Sequence, residues 1–173
     1  LILILQVFGL FMLKLDIFFK IFFFISLFLF FTRLLFISNT MLVDDEAYYA
    51  MYARHLSWGY IDHGPIVAFL IWVSTMIGEN DFTVRIGSVF LMTFLSMIMY
   101  FIGKTVFNQR SAIILSLCLS ANLLFHVNSI IITPDAPMAF FTILAIFFYY
   151  IAYFKNQNFL YLGGIMLGFA LLS

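Results

Sequence analysis

Three acids in a row, Asp44-Asp45-Glu46, stand directly before Ala-Tyr-Tyr-Ala-Met-Tyr-Ala-Arg-His-Leu. Carboxylates can accept a proton from an attacking hydroxyl. At the start of a helix they can equally cap free N–H groups and complement the dipole. The stretch from about Asp45 to Leu56 reads as a short helix, on which Tyr48, Tyr52 and His55 share one face at i, i+4 and i+7 while Arg54 adds a cation. Such a helix lies on a membrane surface with its aromatic face among the headgroups.

Three further groups carry chemistry-bearing residues. Gly59-Tyr60-Ile61-Asp62-His63-Gly64-Pro65 is a turn by its glycines and proline, with Asp62 able to close an Asx-type bond. Its functional reading sets His63 and Arg54 beside a lipid phosphate, Arg54 always charged and His63 able to change charge near neutral pH. Thr133-Pro134-Asp135-Ala136-Pro137 marks a break between helices, with Asp135 free to cap the second. Upstream, Asn122, His126 and Ser129 form a stripe expected to face into a bundle, for catalysis or for hydrogen bonds between helices. Asp44, Asp45, Glu46, His55 and His63 have ligand types suited to a divalent cation, in no recognised spacing. Cys118, the sole cysteine, has no partner for an internal bridge and reads as a small buried hydrophobe.

The elements that must position these groups belong in lipid. Of 173 residues, 65% are hydrophobic, 21% aromatic and 9% charged, with eight Lys+Arg against eight Asp+Glu and a mean hydropathy of +1.15. A soluble domain carries about 25% charged residues. This composition excludes a soluble enzyme, a nucleic-acid binder driven by a basic field, a secreted disulfide scaffold and a disordered tail. Apolar runs near the roughly 20 residues that cross a bilayer mark spans at about 17–37, 82–103, 111–132, 137–154 and 159–173. The first exceeds the roughly 7–15-residue core of a signal peptide and reads as a permanent anchor, with Arg33 snorkelling from its far end. Gly164 and Gly168 make a small-xxx-small pair for close helix approach.

Residues 66–77 form an apolar run of only about a dozen residues, the length of an interfacial or re-entrant segment. With that run kept on one side, Lys14, Lys20, Lys104, Arg110 and Lys155 share one face of the membrane. Asp44, Asp45, Glu46, Asp62, Glu79, Asp81 and Asp135 share the other. The positive-inside rule then places the loop of residues 38–81 outside. A spanning 66–77 would move three cations outside and separate Asp135 from Asp45, and that topology is rejected. The expected fold is an all-α polytopic transmembrane bundle with interfacial helices in the first external loop. A start at Leu1 and an end at Ser173 inside an apolar run lead to the expectation of an N-terminal part of a larger membrane protein, inactive by itself, with residues 1–13 outside the functional fold.

In their order and spacing, Asp45-Glu46-Ala-Tyr-Tyr-Ala-Met-Tyr-Ala-Arg54, the turn from Gly59 to Pro65, Gly78-Glu79-Asn80 with Arg85, and Thr133-Pro134-Asp135-Ala136-Pro137 resemble the family 39 glycosyltransferases. These are polytopic enzymes of the GT-C superfamily, including protein O-mannosyltransferases and the bacterial aminoarabinose transferase acting on lipid A. The resemblance runs from about Asp44 to the end of the chain. It implies a GT-C-like bundle that moves a hexose or pentose from a polyprenyl-phosphate donor to an acceptor hydroxyl of a lipid, glycan or protein. The reaction would invert the anomeric carbon and occur on the outer side of a bacterial inner (plasma) membrane. Asp45 and Glu46 match the family's acidic pair, with Asp45 as base, and Asp135 matches a second catalytic acid. No cofactor is required in this scheme, although a divalent metal can be accommodated, and no nucleic acid takes part. His63-Gly64-Pro65 stands where the aminoarabinose branch has a lysine and a second proline, so lipid A is not assigned as acceptor.

One base suffices for such chemistry, because a lipid phosphate leaves without the general-acid proton that an alcohol requires in glycoside hydrolysis. Cations stabilise the departing phosphate, and an apolar bundle keeps out competing water. Two other classes fit a chain of this composition. A transporter or flippase predicts charges near the membrane midplane and repeated halves. A non-catalytic membrane subunit, or an inactive fragment of the enzyme, is the other.

Overall fold

The computed structural model describes residues 17–173; Lys14 and the expectation for residues 1–13 lie outside the described residues. The described chain is helical, without a strand: α1 (Ile17–Ile37), α2 (Asp44–Arg54), α3 (Ile66–Thr75), α4 (Asp81–Val106), α5 (Gln109–Ala121), α6 (Leu123–Ile130), α7 (Asp135–Phe154) and α8 (Phe159–Leu171). Phe and Ile are modest helix formers, but backbone groups in hydrocarbon must pair within their own segment, and a helix does that. Helices α1, α4 and α7 are each long and apolar enough to cross a membrane, and α5 with α6 makes a fourth if the bent pair is one span. The protein is an integral membrane protein.

Asparagines set several of the starts. Asn80 accepts from Thr83 N at 2.9 Å while its own N–H donates to Thr83 Oγ1 at 3.1 Å, a reciprocal cap that launches α4. Asn108 accepts from Ser111 N and Asn122 from Phe125 N, starting α5 and α6. The Asn122 cap explains the main departure from a straight span over 111–132: its extended backbone ends α5, and α6 leaves at 64°. Asn122 is thereby spent on a backbone bond and is exposed. Ser129 donates to the carbonyl of His126 in its own helix, so His126 is the member of the expected stripe that reaches another helix.

Helix α4, about 39 Å long at 1.5 Å per residue, is the spine of the bundle. Near one end it packs Tyr100 against Phe19 and Phe22 of α1 and Ala112 of α5. Gly103 belongs to this contact: a Cβ there would lie 2.7 Å from Ala112 Cα, so α5 can approach only a glycine. Midway, Met92 and Leu95 meet Phe125, Ala136 and Phe140. At the far end Val84 joins Ile132, Tyr49, Tyr52 and Ala53 of α2, and Val67, Ala68 and Ile71 of α3. Helix α3 has 10 residues, about 15 Å, half of a hydrocarbon core. It therefore lies with α2 against the end of the bundle. The end of α8 returns to the same place, where Ile66 N donates to Leu172 O at 3.3 Å. Gly64 permits this, since a Cβ there would fall 1.9 Å from that carbonyl oxygen.

Several side chains differ from their sequence-based expectation. Arg33 does not snorkel: it is only 4% exposed, because a helical side chain tilts toward the N-terminus of its helix, here away from the nearer end of α1. It donates to Thr93 Oγ1 at 3.2 Å, meets His126 Nδ1 at 3.3 Å and lies 5.7 Å over the Phe125 ring. Gly164 and Gly168 face open space, and Gly163 instead takes the close contact, with the Tyr149 ring of α7. Cys118 is exposed on α5 rather than buried.

Candidate functional site

The acidic triplet begins α2, and a helix turns about 100° per residue, so its three carboxylates point three ways. Asp44 and Asp45 are exposed, whereas Glu46 is 0% exposed. No side chain caps α2 at Val43 or α7 at Pro134. The capping expected of Asp44 and Asp135 is absent, and each is instead the first residue of its helix, where a negative charge still complements the dipole.

Glu46 is the centre of a buried knot. Its Oε1 accepts from Arg85 Nε at 2.8 Å and from Ile132 N at 3.0 Å. Its Oε2 accepts from Val43 N at 3.0 Å, from Arg85 Nε at 3.0 Å and from Arg85 Nη2. Arg85, 2% exposed, spends its remaining donors on Thr40 O at 3.0 Å, Thr40 Oγ1 at 2.7 Å and Met41 O at 2.6 Å. All five guanidinium N–H groups are thus used. The knot ties together the 40–43 loop, the start of α2, the start of α4 and the α6–α7 linker.

That linker carries Asp135 three residues beyond Ile132, and the knot thereby brings Asp135 to the same end of the bundle as Asp45. Between them is a residue the sequence reading passed over, Tyr49. It lies four residues after Asp45 and is buried. Burial, then the Asp45 and Asp135 charges, then Tyr52 and Asp62, raise its hydroxyl above the usual phenol range. The Tyr49 hydroxyl also meets His63 Nε2 at 3.2 Å, with the two rings edge to face. His63 therefore contacts the phenol directly, while Asp45 and Asp135 act on it through their charge. Neither Asp45 nor Asp135 is held by a hydrogen bond or ion pair to a described residue, so both carboxylates keep their lone pairs free. The i, i+4 spacing of Asp45 and Tyr49 was the available signal.

The aromatic face expected for headgroups is covered at Tyr52, while Tyr48 and His55 stay exposed. Tyr52 is buried and stacks on Tyr60 at 3.8 Å and 9°. The Tyr60 hydroxyl donates toward Tyr52 O and His55 O and accepts from Ser57 N, folding the 55–63 loop back over α2. Tyr48 hydrogen-bonds the Tyr52 hydroxyl and donates to Asp62 at 3.1 Å. The Tyr52 bond, desolvation and the bond to Asp62 all hold the Tyr48 proton well above the usual range. His55 falls just past the last turn of α2.

Arg54 does not join this group. It stands nine residues from Asp45, about 14 Å along the helix, and pairs with Glu79. The pair borders a separate cleft of about 430 Å³ lined by Ala53, Trp72, Thr75 and Val84. A divalent cation does not fit the five ligand-type residues either. Glu46 is committed to Arg85, and among the described residues no three His, Cys, Asp or Glu side chains cluster as ligands would.

Across the bundle, the Tyr100–Ala112 contact and the nearby ends of α1, α4 and α5 gather Lys20, Lys104 and Arg110 at the end opposite the knot. Lys155 follows α7 there, 20 residues from Asp135. The charge asymmetry of the sequence is thus an asymmetry of the two ends.

Residues 62–173, more than half of the chain, match the family described as dolichyl-phosphate-mannose-protein mannosyltransferase. A comparison with curated proteins and one with solved structures each found no match. The match includes His63, Arg85 and Asp135 and begins after Asp45, Glu46 and Arg54; Glu46 reaches the matched region through Arg85 and Ile132, and Arg54 reaches it through Glu79. The chain belongs to this family of GT-C membrane glycosyltransferases.

Proposed function

We propose that this member of the family, of the family 39 type, transfers a sugar from a polyprenyl-phosphate donor to an acceptor hydroxyl on the outer face of the membrane, inverting the anomeric carbon. The observation that carries the reading is the placement of the exposed Asp45 and Asp135 at the end of the bundle where Tyr49 meets His63, the acidic end of a bundle whose opposite end is basic. Asp45 is the base. Its unengaged carboxylate takes the acceptor proton as the hydroxyl oxygen attacks the anomeric carbon, and the sugar–phosphate C–O electron pair leaves with the lipid phosphate. His63 contacts that phosphate, and Asp135 orients the acceptor. Glu46 cannot take a proton from an acceptor while both its oxygens hold Arg85 and backbone N–H groups. The role left to it is positioning. Arg54, paired with Glu79 in its own cleft, has no part in this scheme.

The test is sugar transfer from a polyprenyl-phosphate donor by the intact protein, measured with donor binding. Asp45→Asn keeps shape but removes the basic lone pair, so turnover falls by roughly 10²–10⁴-fold while donor affinity holds. Unchanged turnover in that variant removes the assignment. One observation favours the transporter reading: Arg33 is an intramembrane charge of the kind it predicts. The same assay separates the two, since a flippase would move the donor across a vesicle membrane without consuming it.

A further inference from the structure

A neutral histidine has one ring nitrogen that donates and one that accepts. Which of them carries the proton is set by the bond the other makes. At His63 that bond is with the Tyr49 hydroxyl, 3.2 Å from Nε2, the two rings meeting edge to face at 75°. Nδ1 has no hydrogen-bond partner among the described residues and is the nitrogen left for a ligand. Tyr49 is 7% exposed, and among the described residues its hydroxyl bonds to His63 alone. A buried O–H left without an acceptor costs more than an ordinary hydrogen bond contributes. The phenol therefore donates, Nε2 accepts, and the proton of His63 is on Nδ1.

The turn holds the ring where this bond needs it. Tyr48, one residue before Tyr49, donates at 3.1 Å to Asp62, one residue before His63. Two consecutive residues of the turn thus hang from two consecutive residues of α2. Tyr60 N donates to His63 O at 3.0 Å, closing the turn, and the Tyr60 ring lies stacked on Tyr52. The bond from Ile66 N to Leu172 O fixes the exit of the chain.

We propose that Tyr49 is a positioning residue for the donor: by donating to Nε2 it fixes the tautomer of His63 and presents Nδ1–H, rather than a lone pair, to the lipid phosphate. This rests on the function given above. An ionised phosphate oxygen accepts hydrogen bonds and has none to give, so a ring with its lone pair on Nδ1 would repel it. In an unrestrained imidazole the proton is divided between the two nitrogens. Only the fraction with the proton on Nδ1 binds, and apparent affinity falls by that fraction. The Tyr49 bond removes this loss before the donor arrives.

The tautomer can be read in the resting protein. In intact protein with ¹⁵N-labelled histidine in lipid nanodiscs, His63 is picked out from the three histidines by its loss in His63→Ala. Nδ1 should give a protonated signal and Nε2 an unprotonated one. A proton on Nε2, or on both nitrogens, overturns the proposal. Tyr49→Phe keeps the ring and its contacts with His63 and Tyr52, so its melting temperature should stay near that of the wild type. It should let the His63 proton divide between the two nitrogens. Donor KM should then rise about 3–10-fold with turnover within about twofold of the wild type, a split that loosened packing would not produce. His63→Ala should raise donor KM about 10–100-fold, through loss of a hydrogen bond to a charged group. Adding Tyr49→Phe to it should raise KM no further. Penalties that multiply in the double variant, or an unchanged KM in Tyr49→Phe, overturn the proposal. Binding of polyprenyl monophosphate, measured without transfer, separates the positioning from the function. Tyr49-dependent binding by a wild-type protein that transfers no sugar overturns the function alone, and sugar transfer with Nδ1 unprotonated overturns the positioning alone.

Discussion

Replacing Glu46 with Gln separates an anchoring carboxylate from a catalytic one. In the wild type Oε1 accepts from Arg85 and Ile132 N, and Oε2 from Arg85 and Val43 N. A glutamine supplies one oxygen and one NH₂, so in either orientation its N–H groups face a backbone N–H and a guanidinium N–H. Orphaning that backbone donor costs about 1–3 kcal/mol. Arg85, with a side chain 3% exposed, also loses its counter-charge, and breaking a buried pair from one side costs about 3–5 kcal/mol in all. Against a total stability of roughly 5–15 kcal/mol, the variant should melt well below the wild type in lipid nanodiscs. Glu46→Leu with Arg85→Met should recover at least half of the loss, because an apolar pair removes both buried charges. The remainder persists through the unpaired N–H groups of Val43 and Ile132. A Glu46→Gln protein that melts like the wild type but has lost turnover refutes the anchoring argument and returns Glu46 to the chemistry.

Cysteines introduced at Ser57 and Asn80 should both react with an impermeant thiol reagent from outside intact cells or oriented vesicles; labelling of Asn80→Cys only after permeabilisation would break the topology. Gly103→Val should destabilise the α4–α5 contact by about 1–3 kcal/mol through overpacking, seen as a lower melting temperature, since the Cβ alone already falls 2.7 Å from Ala112 Cα. Arg33→Met should change stability by less than about 1.5 kcal/mol: the two hydrogen bonds and the Phe125 contact it loses are worth about 1 kcal/mol each, and relief of a buried charge without a carboxylate partner offsets them. A melting shift corresponding to 3 kcal/mol or more would show that the cation has a strong partner.

Hydropathy was enough to find the long helices, because the length of an apolar run and the thickness of lipid are the same constraint. By length α3 falls short of a span, as does α8, which the apolar run 159–173 suggested was one. The break at Asn122 escaped hydropathy, since an asparagine in an apolar run looks like a polar bundle contact until its cap to Phe125 N is seen. Arg33 escaped it too, because position along a helix says how near a side chain is to the interface but not which way it tilts. At the candidate site, residue types and order singled out Asp45, Asp135 and His63. What they could not supply was the register of α2 against the bundle. That register puts Tyr49 rather than Tyr48 against His63, and it sends Arg54 to a different cleft.

The register of α2 has one physical origin. An 11-residue helix is marginal on its own in water, and α2 exists because its inner face is pinned at several places. Tyr49, Tyr52 and Ala53 bury against Val67, Ile71 and Val84, and Glu46 closes on Arg85 one turn earlier. Residues 46, 49 and 53 are spaced by three and four, so they form the stripe that a buried helix face requires. Asp45, one residue before the stripe, is turned about 100° from it and must emerge at its edge, beside Tyr49 but in the open. The same helical step that buries Glu46 leaves its neighbour exposed. An exposed carboxylate is therefore held in place by a buried one.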